Sequence, residues 1–344
     1  NFAAGIRGIE SMNVLVRSAG FLTTVQDLGR TGFRQSGVSI GGALDAHALR
    51  VANAVVGNED NAAGLEVTLG KLRFEFEDDR LIAWTGGDFS VRIGDENLPA
   101  GHAAVVGKGD ELTMNAPNRG GRAWLAISGG VDVPRVLGSR STDLRGNFGG
   151  HAGRALRDGD VIPLFKERRF TNRRPMSDGD LEIAAPWISE WSAPANWSAI
   201  QRDAPILRFV RGTDWDRFRP EAQRSLVTSA FTVTSDSDRM GARLDGPELA
   251  RIDPGDLLSE AVAPGTVQVP PNGQPILLLG DCQTIGGYPK IGHVITVDLP
   301  IAAQLSPGDR VRFHEVPVEE ARRLLREREG DFARFRVGLS LQPR

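Results

Sequence analysis

Apolar and polar residues alternate over short stretches through most of this chain, the signature of strands with one face in a core and one in water. The runs KLRFEFE, RLIAWTG, FSVRIGDENL, DELTMNAP and GRAWLAISGG follow one another between residues 71 and 130, each closed by a Gly-, Asp- or Pro-bearing turn. NVLVRSAG after Met12 predicts an earlier strand, and GRALRDGDVIPL predicts a turn and strand that close the first half. Strands at spacings of roughly ten residues indicate a β-barrel or sandwich. The period changes once in this half. Leu44, Ala48, Val51, Ala52 and Val55 recur at helical spacing, and Gly57 supplies a C-terminal stop.

Residues 166–204 break the pattern. KERRFTNRRPMSDGD is charged, and APWISEWSAPANW sets Trp187, Trp191 and Trp197 among prolines. Aromatic residues in a connector serve best as anchors on a neighbouring domain or subunit. A second β-rich half opens at ILRFV and ends with GQPILLLGD, HVITVDL and SPGDRVRF. GARLDG at 241–246 echoes GGALDA at 41–46, and SPGDRVRF echoes RDGDVIPL, as two domains of related design would. PVEEARRLLREREG then predicts a helix with Pro317 at its first position and a packing stripe of Val318, Ala321, Leu324 and Leu325. The expected organisation is a tag or extension at 1–11, a first domain at 12–170, a connector at 171–204, a second domain at 205–316, and a helix and tail at 317–344.

Composition narrows the function classes. With 344 residues the chain exceeds one ordinary domain, and 40% hydrophobic with 25% charged residues is ordinary for a globular protein. A net charge of −3 gives no global attraction to nucleic acid or anionic membrane, and no stretch approaches the ~20 apolar residues of a membrane-spanning helix. The expected location is the cytoplasm. The single Cys282 excludes an internal disulfide and a Cys-rich metal site.

Two familiar motifs fail on their context. GVSIG at 37–41 has the spacing of a serine-nucleophile elbow, but GFRQS before it is no hydrophobic strand, and His47 is too near to serve as the usual distant base. GHAAVVGKG at 101–109 has one residue too many for a phosphate-binding loop and no Ser or Thr after Lys108. The five histidines form no metal-binding pattern, so no metal site is expected. No Met-Lys pair is present to accept covalent biotin.

Four segments concentrate Gly, Asp, Gln and Arg: VQDLGRTG (25–32), GSRSTD (138–143), SDSDRMGARLDG (235–246) and GDCQTIGGYP (280–289). Glycine permits close backbone approach, carboxylates and amides suit an amide-like ligand, and arginine suits an anion. With GGALDAHALRVANAVVGN, LEVTLG, RAWLAISGGVDVPRVLGSRST, VQVPPNGQPILLLGDCQTIGGYP and QLSPGDRVRF, these segments carry a resemblance to the allophanate hydrolase subunit 2 (KipA) family, from about Met12 to Val318. That family includes the C subunit of bacterial 5-oxoprolinase and is similar to part of the carboxyltransferase region of urea carboxylase. Gly212-Thr213 departs from the Gly-Pro common at that turn.

The resemblance implies a mainly β chain of two cyclophilin-like β-barrel domains with a few short helices. It implies a KipI-like B subunit as partner in a heterodimer or heterotetramer, and a lactam-utilisation A subunit with which ATP-dependent opening of 5-oxoproline to glutamate would occur. An unstrained lactam resists water, and phosphorylation of its carbonyl oxygen by ATP with magnesium overcomes this. In the family-matching loops, Asp27 and Asp238 are the candidates for catalytic base or magnesium contact, and Gln26, Gln283 and Tyr288 for orienting the amide. Arg30, Arg140 and Arg239 are the candidate anion contacts, with Asp45 and Asp281 as further substrate or ATP-binding residues. The alternatives are carboxyl transfer from carboxybiotin to urea or another amide, and a non-catalytic regulatory role through the KipI-like partner.

Overall fold

The computed structural model describes residues 12–166, 186–197 and 204–341, apart from 254 and 256. The first half folds as two six-stranded antiparallel sheets. One runs in the order Val161–Pro163, Asn13–Ala19, Leu72–Phe76, Glu111–Met114, Val91–Ile93, Glu96–Asn97. The other runs Ile188–Ser192, His102–Val106, Arg80–Gly86, Arg122–Ile127, Gly64–Thr68, Leu22–Gln26. The alternation seen in the sequence has its expected meaning in Leu72–Phe76: Leu72, Phe74 and Phe76 enter the core, while Arg73 faces out and pairs with Glu111 at 2.8 Å. Arg122–Ile127 is buried along its whole length. Ala123, Leu125 and Ile127 join the core between the sheets, and the opposite face lies under helix α1 (Ala46–Val55). A strand covered on both faces needs apolar residues at both parities, and RAWLAI supplies them.

The second half closes into a seven-stranded barrel, ordered Ile206–Arg211, Lys290–Val294, Thr266–Gln268, Ile276–Leu278, Gly241–Asp245, Ala230–Val233, Arg310–Glu315. The first and last strands pair in parallel and seal it. Helix α2 (Pro220–Thr228) packs on the last strand, and the short α3 (Leu299–Ala303) lies near α1. The barrel's apolar cluster includes Leu207, Phe209, Phe231 and Phe313, and continues into Leu44, Leu49 and Trp124 of the first half. The two halves therefore share apolar contacts at a common seam.

Two features differ from the sequence reading. The segment assigned to the connector contains a strand, Ile188–Ser192, that extends the edge of the second sheet. The final helix, α4 (Val318–Leu341), has 24 residues; Ala321, Leu324 and Leu325 of the expected stripe are partly buried, and the best-buried residue lies further along the same face. Val318 is 44% exposed, whereas Phe332 is buried against His47 and the connector's Trp197, with ring centroids at 5.8 and 6.2 Å. Arg50–Glu329 at 2.9 Å and Arg336–Asp60 at 3.0 Å tie α4 back to the first half. Among the described residues no helix is long and apolar enough to cross a membrane.

Candidate functional site

Where the barrel meets the sheets, three of the four polar segments and the beginning of the fourth converge. Asp27 follows the strand Leu22–Gln26 and is buried. Its Oδ1 accepts hydrogen bonds from Ser139 Oγ and Ser141 Oγ, both at 2.6 Å, and from the Gly29 amide at 2.8 Å. Its Oδ2 accepts from the Arg140 amide at 2.6 Å. One carboxylate thereby fixes the loop at 139–141 against the turn that carries Arg30. Arg30 is fully buried, donates to the Ser141 carbonyl and lies 4.6 Å above the Phe148 ring. Gly149 must be glycine here, because a Cβ would stand 2.1 Å from the Ser141 oxygen and 2.5 Å from Arg30 Nη2. Arg30 Nε and Nη1 have no hydrogen-bond partner. Burial lowers its proton affinity, against the opposing pull of Asp143, Asp27 and Asp281.

The second half contributes Arg239 and Asp281. Arg239 donates from Nε to Asp281 Oδ2 at 2.8 Å and from Nη2 to Asp281 Oδ1 at 3.1 Å. Nη2 also donates to the Gly42 carbonyl at 2.7 Å, and Nη1 to Glu66 Oε1. Burial alone would lower the guanidinium's proton affinity, but Glu66 and Asp281 outweigh it and hold Arg239 charged. Burial pushes the Asp281 carboxyl above its ordinary value, with Arg239 opposing. Glu66 Oε2 accepts from the Leu44 amide at 2.9 Å and from Trp124 Nε1 at 3.1 Å, and Arg122 Nε lies 3.9 Å from Oε1. The partly exposed Ser39, Gly41, Asp143 and Asp281 belong to the same neighbourhood. Ser39 Oγ meets Asp143 Oδ2 at 3.5 Å, and a Cβ on Gly41 would lie 3.3 Å from Arg30 Nη1 and 3.6 Å from Asp281 Oδ1. Carboxylates and guanidinium groups thus meet at the seam, a setting able to orient an amide and to balance charge that develops on it.

The sequence matches the family described as "Carboxyltransferase domain, subdomain A and B" over residues 36–315. It is 42% identical to the 5-oxoprolinase C subunit of Escherichia coli (strain K12), across 88% of this chain and 91% of that protein. The chain belongs to the carboxyltransferase subdomain A and B family. The 5-oxoprolinase C subunit of Haemophilus influenzae is 35% identical, across 89% and 92%. Among solved structures, Kluyveromyces lactis urea carboxylase superposes with a TM-score of 0.84 at 29% identity, and the K. lactis urea amidolyase with 0.83 at 30%. These two cover 97% and 95% of this chain, which spans only 30% and 20% of theirs.

Within this carboxyltransferase-family chain the residues expected from sequence do not share one place. Asp27, Arg30, Arg239 and Asp281 meet at the seam as described. Gln26 and Arg140 flank them: Gln26 Nε2 donates to Thr24 Oγ1 at 3.0 Å with Oε1 unpartnered, and Arg140 stacks 4.7 Å from the Phe165 ring. Asp238 is exposed and accepts the Met240 and Gly241 amides of its own turn. Gln283 and Tyr288 belong to a separate polar group around Gln268, whose Oε1 accepts from Gln283 Nε2 at 3.2 Å and whose Nε2 donates to the Tyr288 carbonyl at 3.2 Å. Asp45 lies on neither. It is the buried N-cap of α1, accepting the Ala48 amide at 2.8 Å. Cys282 is buried, and burial pushes its thiol up to about 11, which leaves it protonated at neutral pH.

Glu66, Arg122 and Asp143 escaped the sequence reading as site residues. The one signal for Glu66 was an acidic residue inside LEVT, a run otherwise apolar enough to be buried on both faces.

Proposed function

We propose that this chain is the C-type subunit of an ATP-dependent 5-oxoprolinase and that it acts with a KipI-like B subunit and a lactam-utilisation A subunit. The observation that carries this reading is the 42% identity, across nearly the whole of both chains, to a protein named as the C subunit of 5-oxoprolinase. The seam supports it chemically. Transfer of the ATP γ-phosphoryl group to the lactam oxygen makes the ring carbon open to water. The C–N bond then breaks, the nitrogen takes a proton, and a second water releases phosphate to leave glutamate. Asp281 and Asp143 offer acceptors for the lactam N–H, and Arg30 balances negative charge nearby.

Magnesium is a poor fit to this chain's own carboxylates. Asp27 spends both oxygens on four donors, and Asp238 is engaged in its turn. Among the described residues no group of three or more His, Cys, Asp or Glu is arranged to hold a metal ion. Asp27 organises the loop at 139–141 instead.

The deciding experiment is purification with B- and A-type proteins from the same organism, followed by measurement of ADP and glutamate. Release of both that requires 5-oxoproline and all subunits supports the proposal. An assembled complex that releases neither overturns it. Carboxyl transfer from carboxybiotin is the second reading, supported by the family description and, more distantly, by the superposition on urea carboxylase. Appearance of N-carboxyurea together with free biotin, on mixing this chain with carboxybiotin and urea, would select it.

A further inference from the structure

Glu66 stands behind the seam. It is 1% exposed, in the middle of the strand Gly64–Thr68, and yet it is wired to a residue at the surface of the site. One oxygen is held by the Leu44 amide and the Trp124 indole of its own half. The other receives Arg239 of the second half, with Arg122 at 3.9 Å. Arg239 uses its remaining donors on Asp281 and the Gly42 carbonyl. The result is a buried line of alternating charge, Arg122, Glu66, Arg239, Asp281, that crosses from one half to the other. Its last member alone is partly exposed.

Such a line has two consequences. A guanidinium fixed at Nη1 presents Nε and Nη2 in one orientation, and this sets the plane of the Asp281 carboxylate. A guanidinium shared between two carboxylates also neutralises each of them less than it would neutralise one. We propose that Glu66 is a positioning residue: it holds Arg239 against Asp281 and, by sharing that cation, keeps Asp281 a strong acceptor toward an amide N–H at the seam. The role of the amide rests on the 5-oxoprolinase reading; the coupling of Glu66 to Asp281 does not.

The titratable and charged groups facing Asp281 are Arg239, Arg30, Arg122, Asp143, Glu66 and the protonated Cys282, and those facing Glu66 are Arg239, Arg122 and Asp45. Removing the negative charge of Glu66 lowers the proton affinity of Asp281, and removing the positive charge of Arg122 raises it. The test measures unfolding of the purified full chain against pH, with and without Asp281→Asn. That difference bends at the titration of Asp281 in the unfolded chain and again, because burial raises it, at a higher pH in the folded state; the upper bend is the one followed. Glu66→Gln is expected to move the bend down by roughly one pH unit, and Arg122→Gln to move it up. If Glu66→Gln does not fold, Arg122→Gln carries the test by itself. A bend that stays in place in every variant that folds overturns the proposal. In the assembled complex the acid limb of the kcat/KM profile should shift the same way. A wild-type complex without turnover would count against the 5-oxoprolinase reading, while the stability measurement still decides the coupling.

Discussion

At the scale of single residues, the first helix begins with a conflict that pH exposes. His47 is 6% exposed, neither ring nitrogen has a hydrogen-bond partner, and its ring meets Trp197 edge-on at 5.1 Å. Burial, reinforced by Arg328 and Arg50, pushes it down from 6.5 to about 4. The unfolded chain therefore takes up a proton near pH 6.5 that the folded chain refuses until about pH 4, so His47 costs stability as pH falls through that window. Asp45 works in the opposite sense. Burial raises it from 3.8 to about 6, and its contribution to stability falls as pH rises between those values. His47→Leu is expected to gain on the wild type by about 2 kcal/mol more at pH 5 than at pH 7.5, since each tenfold change in proton affinity corresponds to about 1.4 kcal/mol. Urea unfolding at the two pH values measures this, and an equal difference at both would contradict it. Asp27 gives a second residue-level test. Asp27→Ala leaves buried hydroxyl and amide donors without an acceptor and should cost roughly 3 kcal/mol or more in the isolated chain. A residue needed for chemistry alone would leave that stability unchanged.

At the scale of elements, legibility followed burial pattern. Helix α1 was plain in the sequence because its apolar spacing is regular and Gly57 marks its end, whereas the capping role of Asp45 was not. The strand Ile188–Ser192 was hidden because an edge strand pairs on one side only and needs no continuous apolar face, and its tryptophans suggested a docking loop instead. Helix α4 was visible, but its anchor was not. Charged positions dominate its surface, and two aromatics hold it: Phe332 fills the space beside His47 while Arg50 covers the ring at 4.3 Å, and Phe335 meets Trp197 at 5.1 Å. Half-exposed ion pairs such as Arg50–Glu329 contribute under about 1 kcal/mol, so the rings must do most of the holding, and Phe332 is the buried one. Phe332→Ala should cost about 3 kcal/mol of local stability. It should raise amide exchange along α4 well before it affects the barrel strands. Unchanged protection of α4 would show that the helix is held by something else.

At the scale of the whole molecule, the site belongs to neither half. The sequence disclosed its loops, because Gly, Asp and Arg crowd together there, but not the pairing of those loops across the seam. Arg239 and Glu66 lie 173 positions apart, and no local pattern joins them. The same seam should govern cooperativity. Gln304, fully buried in the second half, accepts from the Arg122 amide at 3.1 Å and donates to the Arg122 carbonyl at 3.0 Å, and Arg122 Nη1 returns a bond to the Ala303 carbonyl at 2.6 Å. With Leu44, Leu49 and Trp124 in the barrel's cluster, opening the seam exposes apolar surface and strands buried polar groups together. The two halves are thus expected to unfold in one calorimetric transition, with calorimetric and van't Hoff enthalpies in agreement. Gln304→Ala removes the side chain that spans the seam without touching the Arg239–Asp281 pair, and should lower stability by roughly 1–3 kcal/mol. If the halves are coupled mainly through this junction, the variant's enthalpy ratio departs from one as the two begin to melt separately. A wild-type chain that already melts in two steps would show instead that the seam orients the site without coupling the folds.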